Sequence, residues 1–499
     1  MGAFNKYTPF FFISLSYKLS YMEYSFAYGD IFNVVFNIVY FITILFTIVI
    51  IVLDNRSPVK TLAWILVLFF LPLIGLFFYY FVGRNTRKNR LISKKGFTRI
   101  IKRPMAEYQA QKAFYGNIEE NKLMSFFKNI NSSLPFEGNS LETYSDGYSM
   151  VSSLIKDIYK AKHHIHMEFY IFNDDALGKL IRDCLIDKAK EGVEIRVLYD
   201  DVGCWRVSDS FYEKMRGNGI EAKAFLKVKY PLFTSKINYR NHRKIVVIDG
   251  KVGFIGGMNI ANRYIKGVKW GIWKDLHSKI EGKAVYGLQT AFLTDWYAVD
   301  RSLITSSKYF PEMEEKGSSL IQIVTSDPVG EWHDIMQGYL IAIENAKRYL
   351  YIQTPYLLPT DSILLALQNA ALAGVDVRIM IPKRGDTFLT HIGTLSYLSM
   401  LMESGVKIYM YKKGFLHSKL IVIDDIVSTV GSTNMDFRSF EHNFEVNAIM
   451  YDRGSAVHLK NIFLSDMKGS MILSKKAWEK RSLKERMAES AVRIMAPLL

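Results

Sequence analysis

The sequence predicts an α/β fold: two homologous α/β units with mixed central sheets, packed about a pseudo-twofold axis and preceded by a two-helix transmembrane hairpin. Three observations carry that prediction. A motif of His, Lys, Asp, Gly and Asn occurs twice, with His242 and His417 standing 175 residues apart, and Asn259 and Asn434 likewise. A strand–helix–strand pattern precedes each copy. Two long stretches near the N-terminus carry no charged residue. The 499 residues leave room for an anchor and two domains, and 49% hydrophobic with 14% aromatic content excludes a disordered chain.

Residues 1–30 form an N-terminal segment; its part 7–20 is aromatic-rich and mildly basic and could lie at a membrane interface. Residues 31–82 are the hairpin (31–53, 61–82). Ile31 to Leu53 is uncharged and, at roughly 1.5 Å per residue, long enough to cross a hydrocarbon core of about 30 Å. Asp54-Asn-Arg-Ser-Pro58-Val-Lys60 interrupts it. Thr61 to Val82 is the second run, with Pro72 and Gly75 inside, both tolerated in membrane helices. A cleaved signal peptide is not expected, because no small-residue cleavage pattern separates the two runs. Arg84, Arg87, Lys88, Arg90, Lys94, Lys95, Arg99, Lys102 and Arg103 follow with no acid among them. By the positive-inside rule this flank, and all that follows, is expected in the cytoplasm, against anionic headgroups.

Residues 83–140 are read as basic flank and linker, with 104–150 polar and mostly helical. The two units are expected at 141–315 and 316–475. In the first, Ala161 to Tyr170 reads as a strand, Asp175 to Lys190 as an amphipathic helix and Gly192 to Leu198 as a buried strand. In the second, Ala346 to Pro355, Ile363 to Ala373 and Gly374 to Met380 match them in order. Residues 476–499 form a C-terminal helix, which could lie on the membrane, against the core or against a second copy of the chain in a homo-oligomer. Cys184 and Cys204 lack metal-like spacing and read as packing residues. The formal charge of +16 implies an acidic partner: nucleic acid, anionic lipid or another phosphate compound.

The motif itself carries the chemistry. The first copy is Asn241-His242-Arg243-Lys244, four apolar residues, Asp249, then Gly256-Gly257-Met258-Asn259. The second is Leu416-His417-Ser418-Lys419, four apolar residues, Asp424, then Gly431-Ser432-Thr433-Asn434. Residues two apart on a strand share a face, so each His points with its Lys. A hairpin at Asp249-Gly250 brings Gly257 and Asn259 back towards His242. Imidazole can attack phosphorus or move a proton, while Lys and Asn supply donors to phosphate oxygens. Two such sets suffice for phosphodiester chemistry, and no metal or cofactor is expected. One His beside a Lys on a strand is ordinary surface; the matched duplication makes it half of a site.

These residues resemble the phospholipase D superfamily. Arg240-Asn-His-Arg-Lys, Gly253-Phe-Ile-Gly-Gly-Met-Asn259, Gly414-Phe-Leu-His-Ser-Lys419 and Gly431-Ser-Thr-Asn-Met-Asp-Phe-Arg-Ser439 resemble its bacterial cardiolipin synthase branch. So do Asn55-Arg-Ser-Pro-Val-Lys-Thr-Leu-Ala-Trp64 and Leu71-Pro-Leu-Ile-Gly75. The resemblance implies that two phosphatidylglycerol molecules give cardiolipin and glycerol through a phosphatidyl-histidine. It implies His242 as nucleophile, His417 as acid and base, and Lys244, Lys419, Asn259, Asn434, Gly257 and Ser432 around the phosphate. Asp249 and Asp424 complete the catalytic motif but, at the turns, should shape strand and turn. Asp275 and Glu445 are the expected orienting acceptors, and Glu168 and Gln353 are expected to line the cleft. Phosphatidylglycerol and anionic membrane lipids are the implied partners. A hydrolase, or transfer to another alcohol, would use the same residues. A nucleic-acid phosphodiesterase fits the charge but not the anchor, so no nucleic acid is expected.

Overall fold

The computed structural model describes residues 33–53, 58–79, 121–228, 238–330, 332–494 and 496. Segment 1–30, the loop 54–57 between the apolar runs and the basic flank from Arg84 to Arg103 lie outside the described residues.

In the N-terminal part, Asn33–Leu53 is one helix, long and apolar enough to cross a membrane. Phe41, Leu45 and Leu53 point outward, and the hydroxyls of Thr43 and Thr47 donate to the carbonyls of Val39 and Thr43, both at 2.7 Å. The second run departs from the expected single helix over 61–82. It starts at Pro58 and is split into Pro58–Phe70 and Pro72–Phe78. Proline has no N–H and disfavours helical geometry at the preceding residue. Leu71 accordingly turns out of the helix, with φ −134° and ψ 64°. The short helix lies so close to its neighbour that a Cβ on Gly75 would stand 3.1 Å from the Val67 carbonyl. Ile51, Leu68 and Tyr79 are buried together, with Trp64 edge-on to Tyr79 at 5.4 Å, so the two runs pair as a hairpin.

The remainder is α/β. Its first half contributes β1 (Pro135–Tyr144), β2 (His164–Phe169), β3 (Glu194–Asp200), β4 (Glu221–Phe225), β5 (Arg240–Asn241), β6 (Lys244–Ile248), β7 (Val252–Gly256), β8 (Ile272–Lys274) and β9 (His277–Glu281). The second contributes β10 (Ser319–Ser326), β11 (Tyr349–Gln353), β12 (Leu357–Leu358), β13 (Asp376–Pro382), β14 (Lys407–Tyr411), β15 (Gly414–Leu416), β16 (Leu420–Ile423), β17 (Val427–Gly431), β18 (Met435–Asp436), β19 (Asn443–Met450) and β20 (Ser470–Ile472). The main sheet runs β20-β14-β13-β11-β16-β17-β19-β10-β1-β9-β7-β6-β2-β3-β4. Read outward from the antiparallel β10–β1 pair, β19, β17, β16, β11, β13 and β14 mirror β9, β7, β6, β2, β3 and β4. The pseudo-twofold axis therefore passes between β1 and β10.

Each half joins parallel pairs (β2–β3, β11–β13) to antiparallel ones (β2–β6, β11–β16), the mixed character expected. The flanking helices start where sequence places a cap: Asp175 and Asp452 accept from Gly178 and Ser455 at 3.1 and 2.8 Å. Each half has its own apolar core. A third core is shared, with Ile245, Val247 and Ile255 of one half meeting Leu420, Val422 and Val430 of the other. Cys184 and Cys204 are free and buried, as packing residues should be.

Of the expected linker, residues 104–120 also lie outside the described residues, and the part from Asn121 on is different in kind. Lys122–Asn131 is a helix whose Leu123 and Phe127 enter the core of the second half beside Ile335 and Tyr339. A Cβ on Gly338 would stand 2.0 Å from the Phe127 ring, so only glycine admits it. β1, also read as linker, sits at the centre of the sheet. At the other end, Leu483–Ile494 packs on the second half, with Arg493 over the Tyr397 ring at 5.4 Å. Phe127→Ala should cost about 3–5 kcal/mol of stability, the range for an emptied aromatic site in a core; thermal unfolding of the solubilised protein measures it.

Candidate active site

Two short parallel strand pairs build the site. β5 runs beside β19, with Arg240 opposite Asn443 and Asn241 opposite Phe444. The next step in that register sets His242 opposite Glu445, and the His242 N–H donates to the Phe444 carbonyl at 2.9 Å. β15 runs beside β8, with Leu416 opposite Lys274. The next step sets His417 opposite Asp275, and the His417 N–H donates to the Lys274 carbonyl at 2.6 Å. Each histidine thus takes its acceptor from the other half. Glu445 oxygens lie 3.0 and 3.1 Å from His242 Nδ1, and Asp275 Oδ2 lies 2.6 Å from His417 Nδ1.

A carboxylate at Nδ1 fixes the proton there and leaves Nε2 as the free lone pair. Burial pushes His242 down to about 4, against the pull of Glu445. Burial and the neighbouring lysines push His417 well below its ordinary value. Both imidazoles are therefore neutral near pH 7. The two carboxyls differ. Burial alone would raise Glu445, but His242 and Lys244 outweigh it and hold the group below its ordinary value. Asp275 is raised by burial to about 6, with Lys419 only partly offsetting.

Alternation along the strands turns His242 and Lys244 together, while Arg243 points away to a buried pair with Asp295. Lys244 Nζ and Lys419 Nζ each donate to the carbonyl of their own histidine. Lys419 Nζ also lies 2.8 Å from His417 Nδ1 and 3.9 Å from Asp275. Burial lowers Lys419 to about 8, and burial lowers Lys244 as well. Asn434 keeps a buried side-chain oxygen without a partner, a group a ligand can engage. Asn259 is committed: its oxygen accepts from Ile171 N at 2.9 Å and its amide donates to Tyr264 at 3.0 Å.

Other expected residues have different tasks. Ser432 gives its hydroxyl to Glu445, and Gly257 is where a Cβ would stand 2.2 Å from Asp275. The matched Gly/Ser position therefore seats the carboxylates. Glu168 accepts from Asn241, and Gln353 donates to Asp466 at 3.0 Å, while each keeps one buried side-chain oxygen without a partner. Asp249 and Asp424 occupy left-handed turns at the far strand ends, with φ 54° and 56°. Asp249 accepts from the backbone of Lys162, His163 and His164, and Asp424 from Lys347, Arg348 and Tyr349. The motif aspartates thus anchor β2 and β11 to the hairpins and stand apart from the histidines. Unanticipated are the aromatic walls: Tyr170 is 5.1 Å from His242, and Trp273 is 5.4 Å from His417. No residue spacing marks them.

The description "Cardiolipin synthase, PLD-like domain" matches residues 154–273 and 339–467, and "Phospholipase_D-nuclease N-terminal" matches 38–84. The chain is 39% identical to the major cardiolipin synthase of Bacillus subtilis (strain 168) over 90% of its own length and 96% of that protein's. The chain belongs to the phospholipase D-like cardiolipin synthase family. Cardiolipin synthase 1 of Staphylococcus epidermidis (strain ATCC 35984) is 38% identical, over 89% of this chain and 93% of that one. Among solved structures, the phosphatidylserine synthase of Haemophilus influenzae Rd KW20 has a similar fold, with a TM-score of 0.58 at 16% identity. It covers 76% of this chain and all of that one.

The charge states predict a bell-shaped kcat/KM profile. Activity should fall below about pH 6 as Asp275 takes a proton and ceases to accept from His417, and above about pH 8 as Lys419 loses its charge. Lys419→Arg should shift the alkaline limb upward. Asp249→Ala should cost about 1–3 kcal/mol of stability, the range for orphaned donors, while the folded fraction keeps most of its turnover; unfolding curves and active-site-normalised rates separate the two effects.

Proposed function

We propose that the chain is a membrane-bound phosphatidyltransferase that joins two phosphatidylglycerol molecules into cardiolipin and releases glycerol. The crossed His–carboxylate pairs, each with its lysine, carry the proposal; kinship with cardiolipin synthases along most of the chain supports the lipid substrate. An anionic phosphodiester between the histidines favours protonation of one of them. His242, facing the carboxylate that stays anionic, supplies Nε2 as nucleophile. It attacks phosphorus, the P–O bond to glycerol breaks, and His417 gives its Nε2 proton to the departing alkoxide. The terminal hydroxyl of a second phosphatidylglycerol then returns a proton to His417 as its oxygen attacks phosphorus. The P–N bond breaks, cardiolipin leaves, and both histidines are restored. Lys244, Lys419 and Asn434 hold the non-bridging oxygens, while Asn259 shapes the wall.

Asn33–Leu53 crosses the bilayer in this reading, and the second apolar run, bent at Leu71, completes the anchor. The basic flank after Val82 supports the cytoplasmic face as the side of the active site. Anionic lipids there would be both substrate and surface.

Purified protein given phosphatidylglycerol alone should yield cardiolipin and glycerol in equal amounts. Phosphatidic acid without cardiolipin would make it a hydrolase. His242→Ala and His417→Ala should each abolish turnover, and EDTA should leave the rate unchanged. Expression in a host lacking cardiolipin should restore the lipid, read by lipid extraction.

A further inference from the structure

The duplicated fold contains an internal control. Where it departs from its own symmetry, one half has something to do that the other does not. The clearest departure lies at the ends of β13 and β14, beyond the paired residues Pro382 and Tyr411. Lys383 and Arg384 follow the first strand and Lys412 follows the second. In the first half, Asp200 and Phe225 close the matching pair, and Asp201, Val202 and Leu226 follow. Asp201 there is used internally, accepting from Trp205 Nε1 at 3.2 Å and from Val228 N at 2.9 Å. One half presents three cations where the other presents an anion and two apolar residues.

These cations line a cavity of about 450 Å³ with Trp270, Tyr411 and Gly414. Among the described residues none of the three is ion-paired. Asp386, two residues after Arg384, accepts from Tyr356 at 2.7 Å, and Asp466 pairs with Lys274 at 3.0 Å. Three unpaired cations around a concave space favour an anion. The place is next to the chemistry. Gly414 opens β15, three residues before His417, a separation of about 10 Å along an extended chain. Trp270 is 6.2 Å from the Phe415 ring, which is 5.8 Å from His417. One buried ring therefore separates the cavity from the histidine assigned to the acceptor hydroxyl.

We propose that Lys383, Arg384 and Lys412 form the subsite for the phosphodiester of the accepting lipid. The inference rests on the phosphatidyltransferase reading. Two phosphates take part in that reaction, and the paired histidines and lysines hold only the one that reacts. The second is the headgroup phosphate of the acceptor, which stays intact and must lie near the base that deprotonates its terminal hydroxyl. The basic cavity supplies charge there and places the acceptor towards His417.

The test compares two acceptors on one preparation. Phosphatidylglycerol as acceptor carries a phosphate; labelled glycerol, exchanged into phosphatidylglycerol by the same donor step, carries none. The triple variant Lys383→Gln, Arg384→Gln, Lys412→Gln should lower cardiolipin formation about tenfold or more relative to glycerol exchange, chiefly through KM for the acceptor. Lys383→Arg alone should keep the wild-type ratio. Equal losses in both rates, or no loss in either, would overturn the subsite. So would equal losses accompanied by failure to float with phosphatidylglycerol vesicles, which would make the cations a membrane contact. A wild-type protein that exchanges glycerol yet forms no cardiolipin would instead overturn the phosphatidyltransferase reading, and the subsite with it.

Discussion

The site depends on two parallel strand pairs, each only a few residues long, that tie one half of the molecule to the other. β5 on β19 and β15 on β8 carry little stability by themselves. Their register is what matters, because it sets His242 opposite Glu445 and His417 opposite Asp275. A slip of one residue in either pair would turn the side chains to the opposite face and separate imidazole from carboxylate. Neither half holds a complete histidine–acid pair, so the candidate site exists only while the shared core keeps the halves together.

Burial sets the chemistry of that arrangement. Two imidazoles, two ammonium groups and two carboxyls are removed from water together, and each is compensated by the others. The histidines stay neutral while their Nδ1 positions are held by carboxylates, which leaves Nε2 free at neutral pH. The lysines, lowered by burial, gain most from an incoming anion. The site is thus charged and oriented before a phosphodiester arrives, the preorganisation that transfer at phosphorus requires.

Much of this was legible in the sequence, because duplication supplies a second reading of each position. The repeated His, Lys, Asp, Gly and Asn marked the candidate site, and period-two and helical patterns placed the strands and helices that carry it. Asp275 and Glu445 were identifiable as acids following each motif. Their exchange between halves was not, because linear spacing is silent on which strand will lie beside β5 or β15. The resemblance placed Ser432 and Gly257 around the phosphate. The approaching groups are the carboxylates Glu445 and Asp275. β1 escaped notice because its polar, glycine-containing sequence hides a central strand. The bend at Leu71 follows from Pro72, whose helix-breaking effect the apolar composition masked.

The central claim is that a histidine of this crossed site carries the phosphatidyl group between two alcohols. The most direct measurement is rapid acid quench of the protein with phosphatidylglycerol, followed by peptide mass analysis for a histidine-bound phosphatidyl group. The account predicts the adduct on the peptide containing His242, formed and consumed at a rate no slower than turnover. An adduct on His417, or full turnover with no adduct on either histidine, would contradict it.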